Sequence, residues 1–422
     1  MSDTSCILPY IHLYTEPKGE MKPCCIADGF DEPINLKKMS IEDGFNSPQM
    51  KQLRKDMGEG KRNKACDVCY KREDATGTSP RAMFNANTLW QMPEVKEDFS
   101  VPTDFQHIDI RFSNLCNFKC RMCNHDFSSN WYEDMKIIRP DNVRATKVLK
   151  ATDTIVEDLI PHLSKIRSFY FAGGEPLIMP EHYKVLKHLH TNFPKLKFYT
   201  HESPDPYMEK IDISIHYNTN LSILRFEKTN LIPIWKDFKQ IFLSISCDGV
   251  GKVGEYQRTG FSTETFEKNL KEIKKHFRPV NVQANEGHGL KYNFQYTTTI
   301  MNVYHIFDFI EYLTENNHII DSTNIDFYYA WSPLEVALSQ ISTDEKEKAI
   351  NFINKHKEKY PQKTQDELNA MIDFMKSDMT IGWEVDDSSK KSGREDYIRK
   401  MESVHGGKFE EISPIKLRTD LI

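Results

Sequence analysis

The chain has 422 residues, 39% hydrophobic and 28% charged, and its 56 Lys and Arg against 62 Asp and Glu leave a formal charge of −6. This composition provides for a buried core and excludes a chain that is disordered throughout, while the length allows two or three domains. The acidic excess and the lack of a basic, aromatic-interleaved stripe argue against a nucleic-acid partner.

No stretch approaches the roughly 18 apolar residues that a membrane helix needs, and the start, MSDTSCILPYIHLYTEPKGE, has no basic region followed by an apolar one. A cytoplasmic protein without a membrane partner is expected. Nine cysteines are present, and eight of them, Cys6, Cys24, Cys25, Cys66, Cys69, Cys116, Cys120 and Cys123, precede residue 124; the ninth is Cys247. An odd count crowded into short spacings fits metal or cluster ligation better than a disulfide framework, because neighbouring thiolates converge readily on a soft centre.

Residues 1–100 are rich in cysteine and in turn formers such as IADGF, DEPIN and ATGTSP, and read as a small stapled domain. Residues 101–335 change character, with β-branched and aromatic runs alternating with amphipathic stretches, the pattern of βα units around a mostly parallel sheet. Strands are predicted at 107–112, 167–173, 211–217, 240–248, 292–299 and 325–330. Helices are predicted in TDTIVEDLIPHL, EHYKVLKHLH, TETFEKNLKEIKKHF and VYHIFDFIEYL. The expected fold is α/β, a partial (β/α)6 TIM-like barrel. Residues 336–422 read as a helical extension with no nameable chemical motif.

The first barrel strand runs into SNLCNFKCRMCNH, so Cys116, Cys120 and Cys123 have C-x3-C-x2-C spacing on one loop. Three thiolates on a four-iron, four-sulfur cluster leave one iron open to a further ligand. A zinc shell completed by His125 or Cys247 is the alternative. After the second strand comes Gly173-Gly174-Glu175-Pro176, a turn whose backbone is free to approach a ligand closely.

Together these two segments resemble the radical S-adenosylmethionine (SAM) enzymes over about residues 105–335. The resemblance implies that the open iron chelates SAM, and that one electron cleaves it to methionine and a 5′-deoxyadenosyl radical which takes hydrogen from a substrate. Cys116, Cys120 and Cys123 are then both metal ligands and the catalytic centre. Gly173, Gly174 and Glu175 match the segment that holds the SAM amino group, and Asn220 a polar SAM contact. Ser246 and Asp248 match the ribose position, and Arg258 the arginine that pairs with the SAM carboxylate. Met122 stands where the family usually has an aromatic.

In the N-terminal block, Cys6, Gly19, Cys24 and the later Cys66-x2-Cys69 resemble the start and terminal pair of the SPASM motif, or of its shortened twitch form, here placed before the barrel. On that resemblance Cys6, Cys24, Cys66 and Cys69 hold a second, auxiliary 4Fe-4S cluster, with Cys25 as the alternative to Cys24; a zinc ribbon on the same residues is the other reading of the spacing. Cys247 falls outside both sets, as a buried small residue or as one at the barrel mouth.

Gly249, Gly251 and Gly254 spell G-x-G-x-x-G, but the continuation EYQRTGF does not favour a helix, and Glu272 falls inside the next helix rather than at a strand end. No nicotinamide site is expected. The resemblance thus implies an oxidoreductase or maturase-type enzyme, fed by an electron donor such as a flavodoxin or ferredoxin. Its substrate would be a peptide or protein side chain, or alternatively a sugar, nucleotide or other small molecule. The competing class is a non-enzymatic zinc or iron-sulfur protein with a redox or interaction role.

Overall fold

A computed structural model describes residues 3–199, 207–279, 289–377 and 387–415. The chain forms two compact units, one from Met1–Leu115, Val148–Tyr217 and Pro233–Ile241, the other from Cys116–Lys147, Asn218–Ile232 and Phe242–Ile422.

The first unit is built on strands β1 (His12–Thr15), β2 (Glu20–Lys22), β3 (Ile34–Asn35), β4 (His107–Ile110), β5 (Ser168–Phe171), β6 (Lys195–Tyr199) and β7 (Tyr207–Thr219). Strands β1, β4, β5 and β7 are parallel neighbours in register, with His12 opposite His107, His107 opposite Ser168 and Ser168 opposite Ser214. β2 and β3 add antiparallel to the β1 edge, and β6 lies antiparallel to β7. The period-two pattern decides the faces. Ile108, Ile110, Phe169, Phe171, Ile213 and Ile215 are buried on one face, while His107, Tyr170, Ser214 and His216, which alternate with them, are only half-buried. Sheets of parallel strands are ordinarily covered on both faces; here the second face is polar. Helix Pro180–Asn192 turns Val185, Leu186 and Leu189 inward, and its His182 ring lies edge-on to Phe171 at 4.7 Å.

The GGEP turn follows β5 directly. Gly173 has φ +81°, and a Cβ there would lie 2.7 Å from the Arg111 side chain; Gly174 has φ +52°, and its Cβ would lie 2.1 Å from the Leu115 carbonyl oxygen. Glycine at both positions is therefore a steric requirement as well as a conformational one. The Glu175 N–H then donates to that same carbonyl at 2.8 Å, and the Glu175 carboxylate accepts from the Leu177 N–H at 3.0 Å.

In the second unit, β8 (Phe238–Ser246) neighbours β10 (Gly289–Thr298), which pairs in parallel with β9 (Arg278–Pro279) and with β11 (Ile325–Tyr329). Helix Thr263–Lys274 starts at Ser262, whose hydroxyl accepts from the Thr265 N–H, and buries Phe266, Leu270 and Ile273 at helical spacing. Helix Ile306–Glu315 falls within the predicted VYHIFDFIEYL segment, and helices Thr343–Lys357 and Gln362–Lys376 lie in the expected helical extension.

The six expected strands are all present, and the fold is mixed α/β with mostly parallel pairing. Two of the elements that differ from expectation stand out. His12–Thr15 is a sheet strand inside the cysteine-rich region, and Gly251–Gln257 is a helix although the sequence does not favour one. That helix forms because Gly254 seats against the preceding turn, where a Cβ would lie 2.3 Å from the Gly249 oxygen. It has seven residues and runs straight into Arg258. Among the described residues no helix is long and apolar enough to cross a membrane.

Candidate metal centres

In the first unit, Cys6, Cys24, Cys66 and Cys69 line one cavity, walled otherwise by apolar side chains including Leu8, Pro23, Ile26, Ala27 and Val68, with Arg81 as its cation. Local structure presents each thiol. Cys6 precedes the Leu8–Ile11 helix, Cys24 follows β2 through Pro23, and Cys66 closes a 3-10 turn begun by Asn63, whose side chain accepts from the Ala65 N–H. Cys69 sits in helix Asp67–Thr76.

Helix Pro80–Ala86 pins the first of these segments. Arg81 Nη1 and Asn85 Nδ2 both donate to the Ser5 carbonyl at 2.7 Å, and Asn85 Oδ1 accepts from the Ile7 N–H at 2.9 Å. Arg81 is itself paired with Glu73. These supports escape the cysteine spacing, although Ser79-Pro80 marks their helix as a capped start.

Burial pushes the Cys6 and Cys24 thiols up to about 12, and neighbouring thiols add to the rise in both. Cys66 is raised by the same causes. Four thiolates do not coexist in such a place without a positive centre, so the donor set fits a thiophilic metal or cluster. Cys25 points elsewhere: it is exposed and hydrogen-bonds with Asp109. Asp109 is in turn ion-paired with Arg111 at 2.7 Å. Of the two adjacent cysteines, Cys24 is the one that faces the cavity.

The second unit holds the three-cysteine loop. Cys123 N–H donates to the Cys120 carbonyl at 2.9 Å, Cys116 Sγ accepts from the Phe118 N–H at 3.5 Å, and Ser128 Oγ donates to the Phe118 carbonyl at 2.7 Å. Lys119–Cys120 pairs antiparallel with Arg258–Thr259, Arg258 opposite Cys120. Burial raises the Cys120 and Cys123 thiols; for Cys123 the neighbouring Cys120 and Cys116 add to the rise. Among the described residues, no three His, Cys, Asp or Glu side chains are disposed to hold one metal ion.

The remaining predicted residues separate by surroundings. Asn220 Nδ2 donates to Asn117 Oδ1 at 3.0 Å, which links it to the cysteine loop. Ser246 is half-buried at the end of β8. Asp248 has no exposed side-chain surface: its Oδ2 accepts from Arg258 Nε at 2.6 Å and its Oδ1 from the Thr297 N–H at 2.8 Å. Arg258, only 9% exposed, turns Nη1 toward Cys120 Sγ at 3.7 Å. His125 hydrogen-bonds with the Asn142 backbone. Cys247 is fully buried and donates to the Gly249 carbonyl at 3.3 Å, with burial pushing its thiol up to about 12. Gly173, Gly174 and Glu175 belong to the first unit and have the turn geometry given above.

Residues 6–70 match the family model of SPASM, the iron-sulfur cluster-binding domain. This segment contains all four thiols of the N-terminal cavity. No curated protein sequence matches the chain. Among solved structures the chain is similar to native anSMEcpe with bound AdoMet, at 16% identity and TM-score 0.36 over 63% of this chain and 62% of that one. It is also similar to Streptococcus suis SuiB, at 15% identity and TM-score 0.29 over 77% of this chain and 62% of that one. The chain thus spans about three-fifths of the length of these solved chains.

Proposed function

We propose that this chain, a SPASM-type iron-sulfur protein, is a radical SAM enzyme that oxidises or crosslinks a peptide or protein side chain. The observation that carries the reading is the loop of Cys116, Cys120 and Cys123: three crowded thiols on one short segment, with His125 engaged at Asn142 and Cys247 at Gly249. A closed zinc shell takes four ligands at about 2.3 Å for sulfur, whereas a cubane holds its thiolates farther apart and tolerates three of them. When bound, the cluster supplies one-electron reduction of SAM at its open iron.

The chain's own residues hold and orient. Cys116, Cys120 and Cys123 bind the cluster, and the bridge to Arg258–Thr259 fixes the loop. Asn220 and Asn117 brace each other beside it. In the first unit Cys6, Cys24, Cys66 and Cys69 bind the auxiliary cluster, with Arg81 as the nearby positive charge. The polar face of the first unit's sheet, on which Tyr170 and Ser214 are half-buried, suits a substrate rich in hydrogen-bonding groups, as a peptide is.

The test is anaerobic reconstitution with iron and sulfide, an iron count, and electron paramagnetic resonance of the reduced protein with and without SAM. About eight irons per chain and one signal perturbed by SAM are expected, with 5′-deoxyadenosine formed under dithionite. Stoichiometric zinc and no SAM-sensitive signal would leave the non-enzymatic class standing instead.

A further inference from the structure

Arg258 is held by its surroundings to an unusual degree. The antiparallel bridge sets its backbone opposite Cys120, and the Arg121 N–H donates to the adjoining Gln257 carbonyl at 2.8 Å. Gly260, at φ +105°, lets the two segments close up, since a Cβ there would lie 2.9 Å from the Phe118 ring. The guanidinium Nε is committed to Asp248 at 2.6 Å. Asp248 is fixed from two more positions, by the Thr297 N–H on its carboxylate and by Asn302 Nδ2 on its backbone carbonyl at 2.9 Å. With Asp248 fully inside the protein and Arg258 nearly so, Nη1 is left directed at Cys120 Sγ, 3.7 Å away.

A guanidinium that recognises a carboxylate well presents two parallel N–H groups to it. Here Nε is already taken and little of the side chain is accessible. We propose that Arg258 acts through Cys120, donating a hydrogen bond to the thiolate and so raising the reduction potential of the cluster, rather than binding the carboxylate of SAM. The inference rests on the reading of Cys120 as a cluster ligand.

The physical reason is the sign of the charge change. Reduction adds an electron to a cluster whose thiolates already carry negative charge, and a donor on the ligand sulfur stabilises the more negative state. Asp248 neutralises the buried cation overall, but it sits on the Nε side and leaves the positive end of the pair toward the sulfur. Arg258 is a positioning residue in this account, and Asp248 and Thr297 are what position it.

The experiment is a potentiometric titration of the SAM-sensitive cluster, followed by paramagnetic resonance, in the full-length wild type, Arg258→Gln and Arg258→Lys, alongside the SAM dissociation constant of each. Arg258→Lys keeps a cation for Asp248 but lacks the second donor arm, and so serves as the variant that retains the fold. Both variants are expected to shift the midpoint to a more negative potential while SAM affinity changes little. An unchanged midpoint with a loss of SAM affinity of about tenfold or more would overturn the inference and return Arg258 to the carboxylate. Loss of the cluster from both variants would also overturn it, by making the arginine a scaffold of the loop. Absence of a SAM-sensitive cluster from the wild type is a separate outcome, and it refutes the enzyme reading itself.

Discussion

Trp131 and His405 lie edge to face, ring centroids 4.7 Å apart, and the Trp131 indole N–H donates to the Cys120 carbonyl at 3.1 Å. His405, whose side chain has no exposed surface, also bonds Asp134 at 3.0 Å and Thr259 at 3.2 Å. The next residue, Gly406, accepts from Arg121, whose guanidinium stacks on Tyr256 at 3.7 Å. The segment after helix Asp387–His405 therefore closes on the three-cysteine loop. Ending the chain after residue 400 is expected to remove the SAM-sensitive iron while sparing the N-terminal iron, leaving about four irons per chain. Iron counting with paramagnetic resonance checks this; unchanged iron in the truncated protein would refute it.

The adjacent cysteines Cys24 and Cys25 separate cleanly, because only Cys24 faces the cavity. Cys24→Ser is expected to lose the auxiliary cluster signal, whereas Cys25→Ser retains it. Equal loss in both would show that the cavity rearranges around its metal.

Gly174→Ala places a methyl group 2.1 Å from the Leu115 oxygen at φ +52°. The Met179 side-chain end, 2.9 Å away, can move aside, but the Leu115 carbonyl is backbone and cannot yield cheaply, so a cost of roughly 1–3 kcal/mol or more is expected. Gly251→Ala, at φ +55° with no atom near its Cβ, is the control that carries the conformational penalty alone. Urea unfolding of the two variants should rank them in that order.

Acid should weaken the first unit. Burial holds His107 and His182 down to about 3 and His216 down to about 4. Each is neutral when folded and takes up a proton near 6.5 when unfolded. Their contribution is complete above pH 6.5 and falls away as pH drops toward 3–4, at about 1.4 kcal/mol per pH unit for each fully titrating group. Asp109 works the other way: burial, opposed by Arg111, raises its carboxyl to about 6, so protonation below that favours the fold. The net slope in a urea series from about pH 7 to 4 should still be toward instability, and His182→Gln should flatten it.

The parts of this protein that could be read from its sequence are those with a local period or a fixed spacing. IDISIHY alternates every second residue, and TETFEKNLKEIK repeats every third or fourth, so strand and helix were legible there. The cysteines announced themselves by interval. Strand β1 was not legible because four residues, HLYT, offer too little pattern, and its partner is nearly a hundred positions away. The helix at Gly251–Gln257 was hidden by its glycines, whose tertiary contacts outweigh their poor propensity. The environment of Arg258 was equally hidden: its identity suggests an anion, but only the fold shows Asp248 already there. The contact of His405 with Asp134 spans 271 positions and leaves no local trace.

The pairing of His12–Thr15 with His107–Ile110 also sets an order of events at the ribosome. At about 5–20 residues per second, roughly 5–20 s separate the emergence of the two strands. Through that interval the N-terminal strand has a bare edge toward its missing partner, and for its last part, roughly 2–8 s, Cys6, Cys24, Cys66 and Cys69 have all left the exit tunnel. A nascent chain that receives its metal in this window has its first seventy residues tied together before the sheet they belong to exists. One that does not receive it presents the same bare edge on an untied segment.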